Sequence, residues 1–436
     1  MKRVTVAGCI LALSTLSYAQ TPTFTGKWIV TSDYFGTPSL QRLTLEQQGD
    51  KLTGNFGGDK LEGTVTGKEI TFVSKDSDGG SDTVHGVWKN GAFSGDIIEV
   101  DGSNVAHPDH FTFTAALAPP LERPTPQRHD FTPTIFRRQF SPAYPPVLTV
   151  NPGDTIHTTT VDAGGTDEHA IRRVAGGNPE TGPFYVRGAQ PGDTLVVHLV
   201  HLKLNRDYAI SDDNLDERVL GSHLAILAKD NHNNVRWHLD LAQGLASPET
   251  PGDHMKSFTI PVHPMLGCIA TAVGPGNAPP GTGDSGGYGG NMDFNGIGEG
   301  ATIYLPVSNP GALLYLGDGH ALQGDGELNG NALETSMDVE FTVDVIPGKR
   351  INGRRIETAD EIITMGLSGS LDDAIKEATG QMADWLHQDY NLTPSETAEF
   401  LGVAGEYHIS EVADRNAGIV LKIAKSKLSK LTPDKK

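Results

Sequence analysis

The sequence predicts a mainly β protein: a small antiparallel β-barrel at the N-terminus, a longer β-rich body, and a short helical segment near the end. Three observations lead there. Short strand-like runs separated by turn signals fill residues 24–115, and longer β segments among glycine-rich loops follow from about residue 128. Helical spacing appears only late, where Leu371, Ala374, Ile375, Ala378, Met382, Trp385 and Leu386 recur at three and four. Glycine and proline are abundant, at 52 and 27 of 436 residues, which suits many turns joining strands better than a helix bundle.

The first module, residues 20–117, contains the runs Gly26-Lys27-Trp28-Ile29-Val30, 40–45, Lys51-Leu52-Thr53-Gly54-Asn55-Phe56, 69–73, 84–88 and 111–115. Gln48-Gly49-Asp50, Asp78-Gly79-Gly80 and Lys89-Asn90-Gly91 supply the turns between strands. A meander of this size closes most economically as a barrel, which leaves no exposed edge. The Gly26-Lys27-Trp28 start loosely resembles lipocalin- and avidin-like barrels. The fold alone favours a filled barrel serving as a spacer or interaction module over a ligand cavity. The proline-rich stretch 118–127 reads as a stiff linker, and residues 128–436 as the second domain.

The N-terminus reads as a leader. Lys2-Arg3 precedes an apolar stretch, 4–16, and Ser17-Tyr18-Ala19 forms a small-residue end, so residues 1–19 are expected to be a signal peptide. The expected location is therefore exported, periplasmic or secreted. Removal of the leader takes Cys9 and leaves Cys268 alone, which excludes an internal disulfide; in its apolar surroundings Cys268 reads as packing. The net charge of −20, with no basic stripe, argues against a nucleic-acid partner, and no later segment reads as a membrane span.

Several motifs carry the right letters in the wrong setting. Gly283-Asp284-Ser285-Gly286-Gly287 spells a serine-hydrolase elbow, but Pro279-Pro280 before it and Gly289-Gly290 after it exclude the strand–turn–helix that an elbow needs. Asp325, Glu327 and Gly330 imitate a calcium loop whose twelfth position is Ser336 where a bidentate Glu belongs. More informative is Gly317-Asp318-Gly319-His320-Ala321-Leu322-Gln323-Gly324-Asp325-Gly326-Glu327, just after an apolar strand. Its glycines let the backbone turn and gather carboxylates, an imidazole and a carboxamide. Neighbouring carboxylates repel unless a cation or a shared proton relieves them, and His with Asp or Glu suits zinc or another divalent ion. Asp and Gly in such a run also simply make turns.

Taken in order, several segments resemble the acetamidase/formamidase family across most of residues 129–425. They are Pro146-Val147-Leu148-Thr149-Val150-Asn151-Pro152-Gly153-Asp154, Thr160-Val161-Asp162-Ala163, Thr181-Gly182-Pro183-Phe184-Tyr185-Val186-Arg187-Gly188-Ala189-Gln190-Pro191-Gly192-Asp193, Gly289-Gly290-Asn291-Met292-Asp293, the 317–327 motif and Glu334. The resemblance implies a β-sandwich-rich body with C-terminal helices, an α+β arrangement, acting as a symmetric homo-oligomer. It also implies hydrolysis of short linear amides to a carboxylate and ammonia with a divalent metal, zinc first and calcium second. On this resemblance Asp162, His320, Glu334 and Asp293 would form the metal shell. Glu327, Asp325, Gln323 and Asn291 would be catalytic, with Glu327 as general base. The segment 164–170 and Leu204-Asn205-Arg206-Asp207-Tyr208-Ala209 depart from the family pattern and would reshape the pocket; His169 reads as a surface residue. The alternative is an exported, non-catalytic binding protein whose barrel captures a small ligand on a retained amidase scaffold.

Overall fold

The computed structural model describes residues 23–220 and 233–431; the expected leader lies outside the described residues. The N-terminal module is a closed antiparallel barrel of eight strands: β1 (Gly26–Tyr34), β2 (Thr37–Gln48), β3 (Lys51–Phe56), β4 (Asp59–Thr66), β5 (Glu69–Lys75), β6 (Ser81–Lys89), β7 (Ala92–Val100) and β8 (Asp109–Leu117). Each strand pairs with the next, and β8 returns to β1 with Trp28 opposite Leu117. Sequence reading did not single out β4 and β7, where a few apolar residues are interspersed with charged and small ones. In β4 the inward positions are Leu61 and Val65, both buried, with Gly63 between them.

Alternation fills the barrel with side chains. Trp28, Val30, Leu43, Leu45, Leu52, Phe72, Phe93 and Phe113 are buried in one cluster. Phe24 plugs one end, edge-on to Trp88 and Phe93 with ring centroids 5.3 and 5.7 Å away. The Trp28 indole N–H donates to the Phe24 carbonyl at 3.0 Å and fixes that plug.

The body is built from two large sheets packed face to face. One runs through strands Thr194–Leu204, Met337–Ile346 and Thr302–Pro306. Met337–Ile346 alternates buried and half-buried residues along its whole length, as a strand with one face on a core should. The other sheet runs through Met265–Thr271, Leu314–His320 and Glu334–Thr335, and Leu314–His320 is buried on both faces. Their facing side chains, among them Leu195, Val197, Phe341, Leu266, Leu314 and Leu316, form the main core.

Two helices close the smaller sheet. Helix α1 (Leu371–Tyr390) places Ala374, Ala378, Met382, Trp385 and Leu386 on Ile362, Leu421 and Ile423, the apolar face anticipated from its spacing. Helix α2 (Pro394–Ala404) starts at Thr393, whose side chain forms a reciprocal capping box with Glu396. Among the described residues no helix is long and apolar enough to cross a membrane. Barrel and body meet through Arg42, whose guanidinium lies 2.5 Å from the buried Asp193 carboxylate.

One element differs in a way that matters for chemistry. The apolar strand expected just before the 317–327 motif is Leu314–His320, which runs on through Gly317, Asp318 and Gly319. These glycines serve close packing rather than a turn: a Cβ at Gly317 would lie 2.4 Å from Glu180 Oε2, and one at Gly319 would lie 2.5 Å from Met337.

Candidate functional site

The strand register brings the site together. Antiparallel pairing sets His320 directly opposite Glu334 on one side and Met265 on the other. Directly opposed residues have neighbouring side chains, and His320 Nε2 lies 2.9 Å from Glu334 Oε1. The other ring nitrogen, Nδ1, is 2.9 Å from Gln323 Oε1. The Gln323 amide nitrogen donates to the carbonyls of Asp293 and Ser410, at 2.5 and 3.1 Å, so its oxygen must face the ring and accept the Nδ1 proton. Asp293 Oδ1 lies 4.0 Å from Nδ1, and the other carboxylates gather at Nε2. Glu327 Oε1 stands 3.8 Å from it and Asp318 Oδ1 3.9 Å.

Asp293, Asp318, Glu327, Glu334 and Glu180 are all buried around this ring, and Glu411 and Asp414 adjoin them. Among the described residues no Lys or Arg head group pairs with any of these carboxylates. Asp293 Oδ1, Asp318 Oδ1, Glu334 Oε2 and both Glu180 oxygens are buried without a hydrogen-bond partner. Burying unpaired charge is expensive, so protons move instead. Burial, reinforced by the Glu334 charge, pushes the Asp318 carboxyl up to about 8. Burial likewise raises Glu411 to about 8 and Asp414 to about 6, and holds Asp293, Glu327 and Glu180 well above the carboxylate range. For His320 burial alone would lower the pKa, but Glu334, Asp318 and Glu327 outweigh it and hold the ring well above its ordinary value.

The backbone is bent to make this arrangement. Asn178, Asp293, Asp318 and Glu327 all sit at positive φ, between 37° and 55°. Side-chain-bearing residues adopt that conformation at a cost, and its concentration in one place marks a site rather than a core. Gly267 makes the close approach feasible: a Cβ there would lie 2.3 Å from Asp293 Oδ1 and 2.5 Å from Asp318 Oδ2.

Of the residues singled out in sequence, His320, Glu334, Glu327, Asp293, Gln323 and Asn291 converge. Asn291 is an organiser: its amide nitrogen donates to Asp293 and Asp414, and its oxygen accepts from Asn178 at 2.6 Å. Asp162 stands apart, because Arg206 holds its Oδ2 at 2.7 Å and the Thr166 backbone N–H holds its Oδ1. Asp325 is half exposed, taking hydrogen bonds from Asn295 and facing His408. His169 is exposed and Cys268 is fully buried.

Sequence reasoning passed over Asp318, Glu180, Asn178, Glu411 and Asp414 as site residues. Asp318 lies inside the motif, among the carboxylates it gathers, but was not singled out as a ligand. Glu411 and Asp414 carry no local signal, since they arrive from a loop more than a hundred residues downstream of Asn291.

One imidazole facing several oxygens, with orphaned carboxylate atoms and a glycine cradle, is a donor set that could hold a divalent cation. Two groups of ligand atoms are close enough to share an ion: Asp293, Asp318 and His320, and His320, Glu327 and Glu334.

A model of the Acetamidase/Formamidase family matches residues 280–411, the stretch that contributes Asn291, Asp293, His320, Glu327, Glu334 and Glu411. Among solved structures, the chain is similar to a recombinant predicted acetamidase/formamidase from the thermophile Thermoanaerobacter tengcongensis. The two share 28% identity over 70% of this chain and 99% of that one, with a TM-score of 0.60. An acetamidase from Bacillus halodurans is 27% identical over 69% of this chain and 99% of its own, with a TM-score of 0.58. An acetamidase from Yersinia enterocolitica is 25% identical over 70% and 94%, also at 0.60. No curated protein sequence matches the chain.

Proposed function

We propose that this chain, an acetamidase/formamidase-family body behind an eight-stranded barrel, hydrolyses the C–N bond of a small linear amide at the His320 cluster. The products are a carboxylate and ammonia. The observation that carries this reading is the buried set of His320, Asp293, Asp318, Glu327 and Glu334, whose orphaned oxygens have no Lys or Arg partner among the described residues.

His320 through Nε2, with Glu334, Asp318 and Asp293, would hold a divalent ion. Zinc suits one imidazole among carboxylates, and calcium is the alternative for so many oxygens. When bound, such an ion supplies Lewis-acid chemistry and makes water more acidic.

Glu327 is the general base. Its carboxylate removes a proton from water as the water oxygen bonds to the amide carbonyl carbon. It then delivers that proton to the departing nitrogen as the C–N bond breaks, so amide plus water becomes acid plus ammonia. Burial, which raises its pKa, suits it to both halves of that exchange. Gln323 fixes the His320 ring, and Asn291 fixes the Asp293 and Asp414 carboxylates. Asp325, at the rim, stays outside the reacting group.

The test is ammonia release from formamide, acetamide and propionamide by protein as purified, after chelation, and after zinc or calcium is returned. Release that disappears on chelation and returns with the ion is expected. Silence toward every amide by ion-loaded protein would overturn the reading.

A further inference from the structure

At the end of the barrel opposite Phe24 the inward-facing positions change character. Along β1 they run Trp28, Val30, Ser32, and along β5 Ile70, Phe72, Ser74, each series ending in a buried hydroxyl. On β6 and β7 the same end carries Asp82 and Glu99, which are direct cross-strand partners. The outcome is a cup of about 410 Å³ whose wall combines Tyr34, Phe56, Ile97 and Phe111 with Asp82 and Glu99. Loop 275–277, which follows the body strand Met265–Thr271, closes one side.

Two features of this cup call for a ligand. Like charges directly opposite one another on a sheet repel, yet no Lys, Arg or His lines the cup or the acidic recess beside it. The Asp82 carboxylate receives a single weak side-chain bond, from Ser74 at 3.4 Å. Independently, Ser32 is 3% exposed, lines the cup, and has no partner for its hydroxyl among the described residues. The hydroxyl of this otherwise buried residue is left open to the cup.

We propose that the barrel mouth binds a small organic ammonium ion, its charge against Asp82 and Glu99 and its alkyl groups against Phe56, Ile97 and Phe111. A metal ion wants oxygen on every side, whereas half of this wall is aromatic or aliphatic carbon. An alkylated nitrogen uses both halves, gaining carboxylate contacts and the negative faces of the rings. Ser32 accepts one N–H where the nitrogen carries one.

The experiment is calorimetric titration of the chain lacking residues 1–19 with n-butylammonium and tetramethylammonium chloride, and with calcium chloride as a control. Saturable binding of at least one ammonium ion is expected, weakened tenfold or more by Asp82→Asn combined with Glu99→Gln. That double variant removes a repulsion, so it should melt no lower than the parent. Should it fail to fold, Phe111→Leu supplies the second arm, with weakened butylammonium binding expected. No saturable binding of either ammonium ion, undiminished binding in the variants, or binding of calcium alone would each overturn the proposal. Amide hydrolysis is not the readout, so the result stands apart from the reading of the His320 cluster.

Discussion

Arg206 Nη2 lies 2.7 Å from Asp162 Oδ2 in a buried pair and also donates to the Glu334 carbonyl at 3.4 Å, while Nε and Nη1 reach the carbonyls of Tyr208 and Asp167. The cation also stacks on the Tyr208 ring, 4.1 Å from its centroid. Arg206 therefore occupies the carboxylate expected, from the family resemblance, to join a metal shell, and it braces the backbone of Glu334 from behind. Removing one partner of a buried pair strands the other, a loss of about 3–5 kcal/mol. Arg206→Met should lower the melting temperature sharply, and adding Asp162→Asn should recover part of the loss, a coupling that a double-mutant cycle measures.

Glu327 and Asp325 test the proposed division between a general base and a residue at the rim. Glu327→Gln should reduce ammonia release by about 10²–10⁴-fold, the range for loss of a general base, with ion content unchanged. Asp325→Asn, at an exposed rim position, should leave turnover near that of the parent. Steady-state kinetics with metal analysis of both variants checks the pair.

Gly267 has no room for a methyl group between Asp293 and Asp318. Gly267→Ala should push those carboxylates apart and destabilise the fold by about 1–3 kcal/mol, as overpacking does. The expected signature is a lower melting temperature together with weaker ion retention in dialysis.

Stability should depend on pH with a definite sign. In the ion-free native state Asp318 and Glu411 keep their protons up to about 8, while the unfolded chain releases them near 4. Between those values the native state binds more protons, so its stability falls as pH rises. His320, held above its ordinary value, acts in the same direction. Melting of chelated protein should drop from pH 5 to pH 8. A saturating divalent ion, binding only the folded state, should flatten that slope.

Much of the fold was legible because alternation and turn chemistry are local. The barrel strands around Trp28, Leu52 and Phe72 announced themselves, as did the spacing of Ala374, Ala378 and Met382. The site was legible only in part. His320, Glu327 and Glu334 were visible because motif and strand sit close together in the chain. Glu180 and Asp414 reach the cluster through register and loop packing, which no short window encodes. Asp162 misled for the same reason: nothing beside it in sequence reveals Arg206 behind it in space.

The barrel's ladder has a kinetic side. Every strand from β1 to β8 pairs with its immediate successor, and only the β8 return to β1 spans the module. The body is wired otherwise, with Thr194–Leu204 paired to Met337–Ile346 and Glu361–Ser368 to Ala417–Ala424. Rates fall as contacts become less local. During synthesis the barrel is thus complete while the body still lacks the strands that finish its sheets. The residues that gather around His320, from Glu180 to Asp414, are all made after the barrel's last strand.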